Sequence, residues 1–100
     1  MENSKIIKEI VRGYFVSKKQ CTIMSFSSGH IDYSNPYYIY YHSVEVAFMK
    51  LNEDEKLVIN NDYFYNDYFG WWKYYYTERQ YLQLKKKAEK NFLRNYYESR

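Results

Sequence analysis

Little in this 100-residue chain can bend or staple a backbone: it holds one proline, three glycines and one cysteine. Cys21 has no partner for an internal disulfide, so the fold must rest on burial, and a lone thiol fits a cytoplasmic protein better than a secreted scaffold. No apolar run approaches the ~20 residues of a membrane span. The opening MENSKIIKEIVRGYF carries Glu2 and Glu9 and lacks the hydrophobic stretch of a signal peptide. Gly13, Gly29 and Gly70 are too scattered for a phosphate-cradling loop. Cys21, His30 and His42 lack zinc-site spacing, and Ser25, Ser27 and Ser28 beside His30 lack the strained elbow that exposes a nucleophile. These absences point away from an enzyme, a metal or cofactor, and a membrane partner.

What is abundant is tyrosine, 15 residues of it. Tyr, Phe, Ile, Asn and Lys crowd the chain while Gly, Ala, Arg and Pro are scarce, the skew of AT-rich codons. The tyrosines are therefore expected mostly as core and boundary residues, with the ring buried and the hydroxyl reaching a polar partner. One hundred residues suffice for a single domain spanning 1–100, with little core to spare. The net charge of +3 is unevenly laid out. Residues 1–20 hold five basic and two acidic side chains, residues 21–70 two and seven, and residues 71–100 eight and three. Basic ends around an acidic middle suggest a surface with two electrostatic faces.

Periodicity predicts an all-α bundle. Ile6, Ile7, Ile10, Val11 and Tyr14 mark a helix over 4–16. Residues 20–34 suit either a short hairpin or an irregular loop, because Cys21, Ile23, Phe26, Ile31 and Tyr33 alternate loosely around SSGH. Asn35-Pro36 is a helix start, Asn as cap and Pro at the first position, followed by Tyr40, Val44, Ala47, Phe48 and Leu51. Asn52 with Glu55 forms a capping box, and the carboxylates of Glu53, Asp54 and Glu55 suit a helix N-terminus better than a catalytic pair. Val58, Ile59 and Tyr63 supply that helix's apolar stripe. Asp67 is placed to cap a short helix over 71–75, and Thr77 with Gln80 opens a long one whose stripe is Tyr81, Leu84, Ala88, Phe92 and Tyr96. Of the tryptophan pair, Trp72 is expected to anchor the core and Trp71 to lie outside.

The order of short helix, break, short helix, break and long helix is that of a helix-turn-helix. On the polar side of the last helix, Arg79, Gln83, Lys86 and Lys90 fall at i, i+4, i+7 and i+11, flanked by Gln80 and Lys87. Arg and Gln near a helix start can read guanine or adenine edges, and lysines further along suit phosphates. The alternative is a bundle helix whose lysine-rich side is only solvated.

LNEDEKLVINNDYF followed by WWKYYYTERQYLQLKKKAEKNFL resembles the sigma-70 region 4-like proteins, and among them the phage transcriptional regulators of the ArpU type. Leu51, Glu55, Tyr63 and Phe64, Trp72, Tyr76 and Thr77, Tyr81, Leu84 to Ala88, Phe92 and Leu93 stand in that pattern's places, over roughly residues 44–97. The resemblance implies a helix-turn-helix at 52–97 with residues 77–96 as recognition helix, and a transcriptional regulator of double-stranded DNA. Glu78 and Gln83 depart from the basic or hydroxyl residues of the pattern. A second expectation is a protein-interaction module on RNA polymerase or another transcription component, using the acidic middle and exposed aromatics. A third, RNA binding, is also open to the basic ends.

Overall fold

Gly29 ends the first helix. Its φ of 80° is left-handed, and its amide closes the last turn on the Ser25 carbonyl at 2.8 Å, the glycine-terminated helix end that other residues adopt only under strain. The computed structural model describes residues 2–30 and 32–99. Among these residues lie four α-helices, α1 (Asn3–Ser28), α2 (Pro36–Met49), α3 (Glu53–Ile59) and α4 (Glu78–Ser99). A π turn (Asn60–Phe64) continues α3, and a single 3-10 turn (Trp71–Tyr74) precedes α4. No strand occurs among the described residues.

Residues 20–28, expected as hairpin or loop, are instead helical. The apolar residues that suggested alternation, Ile23 and Phe26, point outward, Phe26 at 90% exposure. The spacing that counts is Tyr14, Ser17, Cys21 and Met24, at helical intervals along the side that meets α2, where Asn35 Nδ2 reaches the Met24 sulfur at 3.8 Å. No proline or glycine interrupts 14–28, and the hydroxyls of Thr22 and Ser28 donate to the Lys18 and Met24 carbonyls, which satisfies them inside the helix. Ile31, the next residue of the expected alternation, lies outside the described residues. The 26-residue α1 makes the molecule long, 49 × 27 × 24 Å.

Two further starts form as the sequence predicts. Asn35 accepts from the Tyr37 amide at 2.8 Å with Pro36 in the first turn. Asn52 and Glu55 exchange side-chain and backbone hydrogen bonds in a complete capping box.

α4 is the element on which the others converge. It runs antiparallel to α2, with Ser43 beside Ser99 and Ala47 beside Asn95, and packs on α3, where Asn91 meets Glu55. Phe92, Ile7, Ile59, Val44 and Val58 are the largest fully buried side chains. The chain's two alanines, Ala47 and Ala88, are both fully buried, where a larger side chain would push helices apart. Two buried polar groups serve helix ends. Asn95 donates to the Ala47 carbonyl at 3.1 Å, in the last turn of α2 where carbonyls lack an intrahelical donor. Glu55 closes its own capping box with one oxygen and accepts from Asn91 at 2.6 Å with the other.

Gly13 lets the Tyr40 ring of α2 lie directly against α1. A Cβ there would lie 2.6 Å from the Tyr40 hydroxyl oxygen and 2.9 Å from its ring, while that hydroxyl donates to the Ile10 carbonyl at 2.9 Å. The variant Gly13→Ala gains roughly 1 kcal/mol of helix propensity but overpacks a held ring at ~1–3 kcal/mol. A net loss of about 1 kcal/mol is expected, read as a lower urea midpoint. A raised midpoint would show that Tyr40 yields without penalty.

Candidate nucleic-acid interface

The start of α4 is fixed from three directions. Thr77 and Gln80 form the expected reciprocal cap: the Thr77 amide donates to Gln80 Oε1 at 2.9 Å, and the Gln80 amide to Thr77 Oγ1 at 3.1 Å. Ahead of it, Trp71 is buried at 6% exposure and donates its indole N–H to Asp62 Oδ1 at 2.9 Å. Behind it, Tyr81 O–H and Lys85 Nζ both donate to Asp62 Oδ2, at 2.6 and 3.0 Å. Asp62, on the π turn, thus gathers three donors from the 3-10 turn and the first two turns of α4. Lys85 also pairs with Glu89 at 3.8 Å, and Glu89 accepts from the Tyr63 hydroxyl.

The tryptophans correct the sequence expectation. Trp71, not Trp72, is the buried one. A buried indole needs an acceptor, and among the described residues Trp71 finds one in Asp62. Trp72 is half-buried, stacked flat on the Tyr81 ring at 4.7 Å with the Lys73 ammonium 5.8 Å from its own ring centre. The expected Asp67 cap is also absent: Gly70 precedes the 3-10 turn without a side-chain cap.

With the inward side of α4 committed, its outward side is open. Arg79, Gln80, Gln83, Lys86, Lys87 and Lys90 are all exposed. Arg94, which the sequence reading omitted, extends the stripe by one more i+4 step and is exposed as well. At ~1.5 Å per residue the cationic rod runs about 22 Å from Arg79 to Arg94. Gln80 is the exception in role, since its side-chain oxygen already caps the helix and only its amide nitrogen is left to face outward. Lys87 borders a shallow groove with Asp54, Tyr76 and Gln83, so a carboxylate flanks the stripe on the α3 side. Glu78 is exposed at the helix entry. Lys8 of α1 and Lys85 of α4 line a common cleft with Leu82, Asp62 and Glu78.

Part of the acidic middle is engaged within the molecule, while Glu53, Asp54 and Asp67 are exposed. Glu45, Asp54, Glu55 and Asp62 each accept from a side chain distant in the sequence: Tyr14, Tyr76, Asn91, and the Trp71–Tyr81–Lys85 set. Burial first and the carboxylate bond second hold the phenols of Tyr14, Tyr63 and Tyr81 far above their usual value. The same two causes push Tyr76 up to about 12. Burial also raises the Cys21 thiol, which disfavours the reactive thiolate.

No helix of the described residues is long and apolar enough to cross a membrane. Comparison with family models, curated proteins and solved structures finds no match for this chain.

Proposed function

We propose that the protein binds double-stranded DNA as a cytoplasmic transcriptional regulator, with α4 as the recognition helix of a region 4-like helix-turn-helix over residues 52–97. One observation carries this reading. Arg79, Gln83, Lys86, Lys90 and Arg94 form an uninterrupted open stripe on a helix whose opposite side packs into the core. A cylinder of that kind fits the ~12 Å major groove. Arg79 and Gln83, near the start, face base edges, and Lys86, Lys87, Lys90 and Arg94 meet phosphates. In this arrangement α3 with its π turn is the bracing helix, and the 3-10 turn stands in the break before α4.

Fluorescence anisotropy on duplex DNA across a salt series tests the assignment. The combined change Lys86→Ala, Lys87→Ala and Lys90→Ala is expected to weaken binding to all sequences. It should also flatten the dependence of log affinity on log salt by about 2.7, at ~0.9 per lost phosphate contact. Arg79→Ala should instead relax site preference, by ~1–3 kcal/mol at one base pair. All four side chains are exposed, so helicity should be retained. Equal effects from both variants would remove the division of roles, and stronger binding to single-stranded RNA than to duplex DNA would favour RNA as the partner.

The protein-interaction alternative draws on the residues ahead of α4, where Tyr68, Phe69, Tyr74 and Tyr75 are exposed together. Wild-type protein indifferent to both nucleic acids at low salt, yet retained by a transcription component, would favour it.

A further inference from the structure

Away from the open stripe, α1, α2 and the π turn border an open cleft of about 350 Å³. Its walls are aromatic. Phe64 lies edge-on to Tyr14, with centroids 5.3 Å apart, and to Phe48 at 5.7 Å. Tyr65 and Met49 form an exposed rim. The wide turn makes this shape: the Tyr65 amide bonds back five residues to the Asn60 carbonyl at 2.8 Å, so Phe64 and Tyr65 leave the α3 axis beside α1. Turns of this width inside helices recur at functional sites.

One charged group lines the cleft, Glu45. Its Oε2 accepts from the Tyr14 hydroxyl at 2.7 Å, and it makes no ion pair with the described residues. The cation nearest to this pair is Lys18, whose ammonium reaches the Tyr14 hydroxyl at 3.5 Å and sits 5.6 Å from the ring centre. Aromatic walls around a single carboxylate select by chemistry. An anion is repelled. A metal ion would want more oxygen ligands than one carboxylate supplies. A neutral apolar body would strip water from Glu45 and return nothing. A cation with a compact apolar shell meets both the carboxylate and the rings.

We propose that this cleft binds an organic cation, an alkylated ammonium or a guanidinium, held by Glu45 and the rings of Tyr14, Phe64 and Tyr65. The volume suits one such group and not a folded surface. The cation comes either from a free small molecule or from a basic side chain of a partner, with the same chemistry at the site. The site shares no residue with the α4 stripe, so it stands or falls independently of DNA binding.

Titration of the ¹⁵N-labelled protein by NMR is the test, with choline chloride, its neutral isostere in which carbon replaces nitrogen, and an arginine-containing tripeptide amide as probes. Choline is expected to move the amides of Phe48, Asn60 and Tyr65 with millimolar affinity, the isostere binding at least about tenfold more weakly. Glu45→Gln keeps an acceptor for Tyr14 and should retain the melting temperature while weakening choline by about tenfold. Tyr65→Ala, on the exposed rim, should weaken it with the fold intact. A tripeptide tighter than choline assigns the cation to a partner protein, and a weaker one to a free ligand. The proposal is overturned by an isostere that binds as well as choline, by Glu45→Gln binding undiminished, or by no movement of these amides with any probe.

Discussion

Replacing Asp62 with alanine is expected to lower the melting temperature by roughly 12–24 °C, for a loss of ~3 kcal/mol at ~4–8 °C per kcal/mol. The size follows from what converges there. The Asp62 side chain is only 10% exposed and is the common acceptor for Trp71, Tyr81 and Lys85. Deleting it strands a buried indole N–H and a phenol at once, and a stranded buried donor costs more than a made bond contributes. A small domain has only ~5–15 kcal/mol in hand, so the variant should be marginal at body temperature. Asp62→Asn keeps one acceptor and should fall between the two. Tryptophan emission gives a local check, because Trp71 loses its partner and gains solvent. A melting temperature within ~2 °C of wild type would mean that water replaces all three bonds.

Raising the pH above about 10 should unfold the protein cooperatively. Tyr14 with Glu45, Tyr63 with Glu89, Tyr76 with Asp54 and Tyr81 with Asp62 are four phenol–carboxylate pairs, each joining distant parts of the chain. Losing the phenol proton turns each pair from a hydrogen bond into two facing anions. The direction of the linkage is set by the raised values. A group whose folded pKa lies above its unfolded one contributes stability that is whole below the unfolded value, near 10 for tyrosine, and is lost as pH climbs through the folded one. For Tyr76 that window runs from about 10 to about 12, and the other three shift the same way and further. Far-ultraviolet dichroism and tyrosinate absorbance followed together are the measurement. Helix loss and the last fraction of tyrosinate should appear in one transition. Complete ionisation of the phenols with the helices intact would show that the pairs do not hold the bundle.

These pairs mark the limit of what the residues announce beforehand. Local chemistry was legible. Asn35-Pro36, Asn52 with Glu55, and Thr77 with Gln80 start helices because capping needs only a few consecutive residues. The Tyr81–Tyr96 stripe is buried apart from half-buried Leu84, which leaves Arg79, Gln83, Lys86 and Lys90 on the outside by simple periodicity. What required three dimensions was hidden. That Glu45 belongs to Tyr14 and Glu55 to Asn91 depends on contacts 31 and 36 residues apart. So Glu45, Glu55 and Asp62 of the acidic segment serve as internal acceptors, while Glu53, Asp54 and Asp67 stay exposed. Trp71 and Trp72 are equivalent by composition, and Asp62 decides between them. The continuation of α1 through Ser28 was obscured by outward Ile23 and Phe26, since an exposed apolar residue mimics a pattern that burial normally writes.

The central place of α4 bears on how the chain reaches its fold. α4 follows, along the chain, every helix it touches, and it supplies the Phe92 plug of the core, the Asn95 amide that finishes α2 and the Asn91 amide that holds the capping Glu55 of α3. A nascent chain that has released only α1 to α3 therefore holds Ile7, Val44 and Val58 with nothing to close over them. Until the final helix emerges, such a chain remains a client for chaperones and proteases.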